Sequence, residues 1–206
     1  GQVAPRPRSP AGLRRRGVAM AETVFYLIRH AYSDWTPDEN RPLSQRGYED
    51  AKRVADVLHE YPIDAIYSSP YRRAQQTIEP LAERVSLPIR TEHDLRERQL
   101  GHVSADFREA VRALWQAPSS SHPGGESNRA AQERGMAVVR RLQEEHYAGC
   151  IVLATHGNLL ALILQGFDSS VDYGFWESQT WPDIYVLTVD QAGQKSRIRL
   201  WRGRQD

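Results

Sequence analysis

Residues 25–30 read Phe-Tyr-Leu-Ile-Arg-His, an apolar run that ends abruptly in an arginine and a histidine. A short apolar run rich in aromatic and branched side chains is typical of a strand buried on both faces. In an open α/β sheet, ligands bind beyond the carboxyl ends of the strands. We therefore expect Arg29 and His30 at a binding edge, where a cation beside an imidazole suits an anion. An ordinary strand end remains the alternative on this dipeptide alone.

Further along the chain, predicted strands alternate with predicted helices. Apolar runs predict strands at 63–67, 88–91, 150–154, 183–189 and 197–201. Helical periodicity or capping residues predict helices that follow Ser44, follow Ser69-Pro70, and span 103–115, 127–147 and 158–165. This alternation indicates an α/β fold with a largely parallel sheet covered on both faces. Its length favours a single domain, which we place at residues 21–206.

The amino-terminal segment, residues 1–20, differs in composition from the rest of the chain. It holds five of the 27 basic residues and no acidic one, and it is rich in proline and glycine. We expect it to be disordered, and we favour an extension ahead of Met20 over a transit peptide. Without it the net charge falls from +1 to −4, because 22 basic residues then face 26 acidic ones.

Several classes of function are disfavoured by composition. The mildly acidic body gives no reason to expect nucleic-acid binding, and no apolar stretch is long enough to span a membrane. The histidines show no metal-ligand spacing, so we expect no metal and no other cofactor. The single cysteine, Cys150, fits a reducing compartment, for which we predict the cytoplasm. We expect a monomer or a homodimer.

Reactive residues follow four of the predicted strands, which suggests a shared pocket. They are Arg29 and His30, then Arg72, then Glu97, then His156 at the start of a helix. The two arginines offer forked donors to phosphoryl oxygens, whereas Arg73 is interpreted as a surface charge. A helix N-terminus at His156 favours an anion.

The same residues suggest a reaction on a phosphate ester. His30 is either a further clamp or a nucleophile that attacks phosphorus. Glu97 is the available acid for the leaving alkoxide, with Glu92 and Glu126 as the alternatives. Ser33 either donates to phosphate or shapes its loop.

At this point the chain resembles the histidine phosphatase superfamily, the phosphoglycerate-mutase-like proteins. The resemblance covers about residues 24–165 and depends on an ordered set of motifs: Leu27-Ile28-Arg29-His30-Ala31, Arg41-Pro42-Leu43-Ser44 with Gly47, Tyr67-Ser68-Ser69-Pro70 with Arg72-Arg73-Ala74 and Gln76-Thr77, Leu95-Arg96-Glu97 with Gly101, Gly124-Gly125-Glu126-Ser127, and Thr155-His156-Gly157.

The resemblance implies a three-layer α/β/α sandwich with a mostly parallel mixed sheet, and no metal. It implies His30 as the phosphorylated nucleophile, Arg29, Arg72 and His156 as phosphate clamps, and Glu97 as general acid and later base. Two departures stand out: alanine follows His30 where the family has glycine, and the usual Trp-Glu-Gly after the acid is replaced by His-Val-Ser at 102–104.

The resulting expectation is a phosphomonoester hydrolase that acts on a small phosphorylated substrate. A phosphomutase and a non-catalytic phosphate-binding protein remain alternatives. A mutase needs an insert that shields its phosphoenzyme from water, and the largely helical segment between Glu97 and His156 leaves little chain for one.

Overall fold

A computed structural model describes residues 21–104 and 106–203. The expectation of disorder for residues 1–20 lies outside this part of the chain. The described residues form six strands, six α-helices and one short 3₁₀ turn at His93–Leu95.

 In chain order the elements are β1 Thr23–Arg29, α1 Gln45–Leu58, β2 Ala65–Ser68, α2 Arg72–Val85, β3 Ile89–Thr91, α3 Phe107–Gln116, α4 Asn128–Glu145, β4 Cys150–Thr155, α5 Gly157–Phe167, α6 Tyr173–Ser178, β5 Asp183–Asp190 and β6 Gly193–Arg199.

The strands form one mixed sheet in the order β3-β2-β4-β1-β5-β6. The β3–β2, β2–β4 and β4–β1 pairs are parallel, whereas β5 runs antiparallel to β1 and β6 antiparallel to β5. Arg29 lies opposite Thr155 in the central pair, so β1 and β4 end at the same level. The carboxyl ends of four parallel strands therefore meet at one edge of the sheet.

Each face of the sheet is covered by helices, because successive strand residues point to opposite sides. Phe25 and Leu27 face one apolar core with residues of α4 and α5. Tyr26 and Ile28 face the other core with residues of α1 and α2. The structure thus confirms the predicted three-layer α/β/α sandwich with a mostly parallel mixed sheet.

Three local predictions differ from the structure. Helix α2 begins at Arg72 rather than directly after Ser69-Pro70, and Tyr71 takes the N-cap position. Helix α3 begins at Phe107 rather than near 103, because the Asp106 carboxylate accepts from two backbone N–H groups there. The short helix α6 was not predicted, since its six residues are too few to show a periodic pattern.

Among the described residues, no helix is both long enough and apolar enough to cross a bilayer.

Candidate active site

A pocket of about 500 Å³ opens at the carboxyl edge of the parallel strands. Of the six side chains predicted for the site, five line this pocket, namely Arg29, His30, Ser33, Glu97 and His156. Their convergence follows from the topology, because each comes from the segment that follows a parallel strand. The sixth, Arg72, does not line it.

His30 directly follows β1 and is only 7% exposed. Its Nδ1 lies 2.7 Å from the carbonyl oxygen of Ala31. A carbonyl oxygen only accepts, so Nδ1 carries the proton in this hydrogen bond, and the lone pair of the neutral ring is on Nε2. The backbone therefore fixes the tautomer in which Nε2 keeps its lone pair.

The surroundings of His30 favour the neutral ring. Burial lowers the pKa of His30 well below its usual value, and the nearby cations Arg73 and Arg29 lower it further. A neutral imidazole is the form that can attack phosphorus. The protein thus holds the His30 ring in its neutral form at neutral pH.

His156 occupies the N-cap position of α5 and is 1% exposed. Its Nε2 lies 2.8 Å from the Ser69 hydroxyl, and its Nδ1 has no hydrogen-bond partner among the described residues. Burial, followed by the proximity of His30, lowers the pKa of His156 well below its usual value. The two rings lie side by side, with centroids 5.1 Å apart.

Arg29 is held between backbone and an aromatic ring. A Cβ atom at Gly157 would lie 2.7 Å from the Arg29 Cζ, so only glycine leaves room for the guanidinium there. On another side, Cζ lies 4.0 Å from the centroid of the Trp181 ring, a cation–π contact. Burial lowers the pKa of Arg29 to about 10, which leaves the group positively charged at pH 7.

The sequence-based choice between two adjacent arginines is corrected by the structure. Arg72 is exposed, whereas Arg73 is 5% exposed and lines the pocket. Helix α2 buries Arg73 on the same face as Ala74 and Thr77, so the helical phase turns Arg72 outward. Arg73, not Arg72, therefore lies in the pocket, and its interpretation as a surface charge was wrong.

Arg73 is also fixed and charged. Its Nη1 donates to the carbonyl oxygen of Glu39, and its Cζ lies 4.9 Å from the Tyr71 ring centroid. Burial, reinforced by Arg41, lowers its pKa to about 10, so it remains a cation at pH 7. Its Nε has no partner among the described residues and is free for an anion.

The Glu97 carboxylate lies at the N-terminus of α5 and accepts hydrogen bonds from its first backbone N–H groups. Its Oε1 accepts from the backbone N–H groups of Arg98 and Leu159, both at 2.9 Å, and its Oε2 accepts from that of Asn158 at 3.0 Å. Helix N-termini favour such carboxylates because their first N–H groups have no helical partner. Oε2 receives a single backbone donor and keeps a lone pair for a proton.

The loop that carries Glu97 is held by Arg134 of α4. The guanidinium donates to the carbonyl oxygens of Asp94, Arg96 and Glu97 at 2.6, 2.9 and 3.1 Å. It also makes a bidentate pair with Glu126, at 2.8 and 2.9 Å. Arg134 thus ties the Glu97 loop and Glu126 to helix α4, a role with no signal in the sequence.

The two alternative acids are engaged elsewhere. Glu92 pairs with Arg141, and Glu126 pairs with Arg134. Although burial raises the pKa of Glu126, its hydrogen bonds and ion pair with Arg134 outweigh this and lower it. Neither carboxylate lines the pocket, which leaves Glu97 as the candidate acid.

Ser33 lines the pocket, but its hydroxyl donates to the carbonyl oxygen of Pro42 at 2.6 Å. This bond closes the loop after β1, so the hydroxyl shapes the loop. Donation from Ser33 to a phosphate remains a prediction.

Arg41 and Arg98 also line the pocket, and they were not singled out from the sequence. Each has a buried Nε without a partner among the described residues. Arg41 lies within the Arg41-Pro42-Leu43-Ser44 motif, which is the signal that could have found it. Arg98 donates to Asn128 and Asn158, both distant in sequence, so no local pattern reveals it.

Taken together, the pocket combines several fixed cations with the Glu97 carboxylate and two buried, neutral imidazole rings. Such a site suits a phosphoryl group, whose oxygens accept from guanidinium forks. Among the described residues, no group of three or more His, Cys, Asp or Glu side chains is arranged to hold a metal ion.

Comparison with known proteins agrees with this chemistry. The sequence model of the histidine phosphatase superfamily (branch 1) matches residues 25–203. A 2,3-bisphosphoglycerate-dependent phosphoglycerate mutase of Methylobacterium radiotolerans is 28% identical over 190 residues, covering 81% of this chain and 86% of the relative. Phosphoserine phosphatase 1 of Hydrogenobacter thermophilus is 28% identical over 145 residues, covering 63% and 69%.

The fold is also that of a solved mycobacterial glucosyl-3-phosphoglycerate phosphatase. The two structures superpose with a TM-score of 0.73 at 22% sequence identity, covering 89% of this chain and 100% of the other.

Proposed function

Because the chain belongs to the histidine phosphatase superfamily, we propose that it is a metal-independent phosphomonoester hydrolase that acts through a phosphohistidine intermediate. The observation that carries this proposal is the fixed tautomer of His30, whose Nε2 lone pair is available in a pocket rich in arginine. The substrate is a small phosphorylated molecule. The relatives named above carry different substrates in their names, so they do not choose one for this chain.

In the first step, the Nε2 lone pair of His30 attacks phosphorus and forms the P–N bond. The bond between phosphorus and the ester oxygen breaks, and its electron pair leaves with the alcohol oxygen. Glu97, protonated on Oε2, gives its proton to that oxygen. The products are the free alcohol and a phosphoryl group on His30.

In the second step, water attacks phosphorus while Glu97, now a carboxylate, accepts a proton from it. The P–N bond breaks, its electron pair returns to Nε2, and inorganic phosphate leaves. Glu97 and His30 are then in their starting forms, so the cycle needs no other reactant.

The transferring group is stabilised by Arg29, Arg73 and His156. The guanidinium groups are already ordered by their backbone and ring contacts, so little reorganisation opposes the reaction. Donors fixed in advance around developing charge are the largest contribution in many enzymes. Arg73 replaces Arg72 in this proposal.

A phosphomutase is the second candidate, since a mutase is among the relatives. A mutase must shield its phosphoenzyme from water. Between Glu97 and His156, helices α3 and α4 take up much of the chain and leave little to cover the site. This favours hydrolysis. A purely binding role is less well supported, because both a nucleophile and an acid line the pocket.

The test is phosphate release from a panel of phosphomonoesters, with and without a chelator. We expect release that the chelator leaves unchanged. Isomerised phosphate ester without release would favour the mutase, and binding of phosphate esters without either reaction would favour the non-catalytic role. A cytoplasmic location and a monomeric or homodimeric state remain predictions.

A further inference from the structure

Aromatic side chains are concentrated at the mouth of the active-site pocket. Nine large apolar side chains are exposed among the described residues, and four of these line this pocket: Tyr32, Trp35, Phe107 and Trp181. They come from three separate stretches of the chain. Isolated exposed apolar residues are ordinary, whereas several gathered around one cavity indicate a binding surface.

Three of these rings, those of Tyr32, Trp181 and Phe107, make ring contacts. Tyr32 and Trp181 meet edge to face, with centroids 6.3 Å apart and planes at 86°. Phe107 lies 6.2 Å from Trp176, which is 8% exposed and also lines the pocket. The mouth therefore has two pairs of rings that offer flat, preordered apolar surface.

One aromatic pair, Tyr32 with Trp181, directly contacts Arg29, which we propose as a phosphate clamp. The Trp181 ring lies 4.0 Å from the Arg29 Cζ, so a group attached to a phosphate held by Arg29 starts beside this ring. The leaving group of a bound ester must then occupy the space that the rings line. The rings therefore select among substrates by the chemistry of the leaving group.

Two buried polar atoms lie in the same part of the pocket wall without partners. Trp176 and Gln179 are 8% and 5% exposed, and both line the pocket. The indole Nε1 of Trp176 and the Oε1 of Gln179 have no hydrogen-bond partner among the described residues. Buried polar groups normally have partners, so a ligand that both accepts and donates a hydrogen bond would complete the site.

Two exposed charged residues of the pocket lining neutralise each other. Arg108 and Glu177 both line the pocket and form an ion pair at 3.5 Å. This pairing favours an uncharged leaving group in the outer part of the pocket over one that carries a second anion.

Given the hydrolase function proposed above, we propose that the leaving-group site takes phosphate monoesters of alcohols that carry an uncharged aromatic ring. The ring packs between the two aromatic pairs, and polar atoms on its edge meet Trp176 and Gln179. The subsite thus determines specificity, whereas the phosphate clamp determines reactivity.

The test compares 2-phenylethyl phosphate with ethyl phosphate, because both release a primary alcohol and differ in the ring. We expect kcat/KM to be at least about tenfold higher for the phenylethyl ester, since its ring is removed from water. Trp35→Ala and Phe107→Ala should each reduce that ratio severalfold. Both side chains are more than half exposed, 77% and 57%, so their removal should leave the fold intact. The control is Tyr147→Ala, an exposed aromatic outside this pocket, which should preserve the ratio.

A binding measurement separates this inference from the proposed function. Calorimetry should show that 2-phenylethylphosphonate, which cannot be hydrolysed, binds at least about tenfold more tightly than ethylphosphonate. Equal hydrolysis of both esters with equal binding of both phosphonates would overturn the aromatic subsite and leave the hydrolase intact. Selective binding without hydrolysis of any ester would support the subsite and overturn the hydrolase.

Discussion

The imidazole rings of His30 and His156 lie with their centroids 5.1 Å apart and their planes at 62°. Both rings are buried beside arginines, and burial together with these cations lowers the pKa of each well below its usual value. Two cationic rings at this separation would repel each other and the arginines. The folded protein therefore holds two histidines that resist protonation.

The lowered pKa values of His30 and His156 predict that the free energy of unfolding falls as the pH is lowered from 7 to 5.5. In the unfolded chain a histidine binds a proton near pH 6.5, whereas His30 and His156 stay neutral when folded, so acid favours unfolding. Each histidine should lower the free energy of unfolding by up to about 1.3 kcal/mol over this interval. Urea unfolding at the two pH values measures the loss, and the His30→Asn/His156→Asn double variant should lose less. The same loss in both proteins would contradict the assignment.

The two adjacent arginines of α2 provide a matched pair of variants. Arg73→Lys keeps the charge but removes the forked donor, so we expect kcat/KM to fall on the order of 100-fold. Arg72→Lys changes an exposed side chain outside the pocket and should leave kcat/KM unchanged. Steady-state kinetics on one phosphomonoester measures both. A larger loss in the Arg72 variant would restore the sequence-based choice.

Glu97→Gln should separate substrates by their leaving groups. An alkyl phosphate needs a proton on its departing oxygen, whereas a nitrophenyl phosphate hardly does. General acid catalysis is typically worth about 10²–10⁴-fold, so the alkyl ester should slow far more than the nitrophenyl ester. Equal slowing would make Glu97 structural or electrostatic, and no slowing of either would mean that the acid lies elsewhere.

Arg134 should influence the reaction through Glu97. Arg134→Lys removes the fork that holds the carbonyl oxygens of the Glu97 loop, and a displaced acid can cost up to about 100-fold. The loss should be larger for the alkyl than for the nitrophenyl ester, as for Glu97→Gln. Arg129→Lys, an exposed change on the same helix, is the control. Equal losses on both esters would indicate a purely structural role for Arg134.

The parts of this site that depend on a local sequence pattern could be predicted from the sequence. The apolar run before Arg29 and His30 predicted both the strand and the edge at which they lie, because burial on two faces leaves a continuous apolar stretch. The prediction that Arg72, and not Arg73, lies in the pocket was wrong. It depends on the phase of helix α2, and the sequence placed the start of this helix too early. A shift of one residue turns a helical side chain by about 100°.

Other features depend on contacts between distant segments. Arg134 reaches carbonyl groups roughly 40 residues earlier in the chain, and carbonyl groups are present at every residue, so no residue type marks them. The aromatic mouth likewise combines Trp35, Phe107 and Trp181 from separate loops and a helix end. Only the fold brings these rings together.

The central claim is that His30 carries the phosphoryl group. Rapid quenching of the enzyme with a phosphorus-labelled substrate should trap label on His30 as an acid-labile, base-stable phosphoramidate, located by peptide mass spectrometry. His30→Ala should keep its circular dichroism spectrum, trap no label and lose turnover. Label on His156 instead, or a His30→Ala variant that retains even about a tenth of the wild-type rate, would contradict the account.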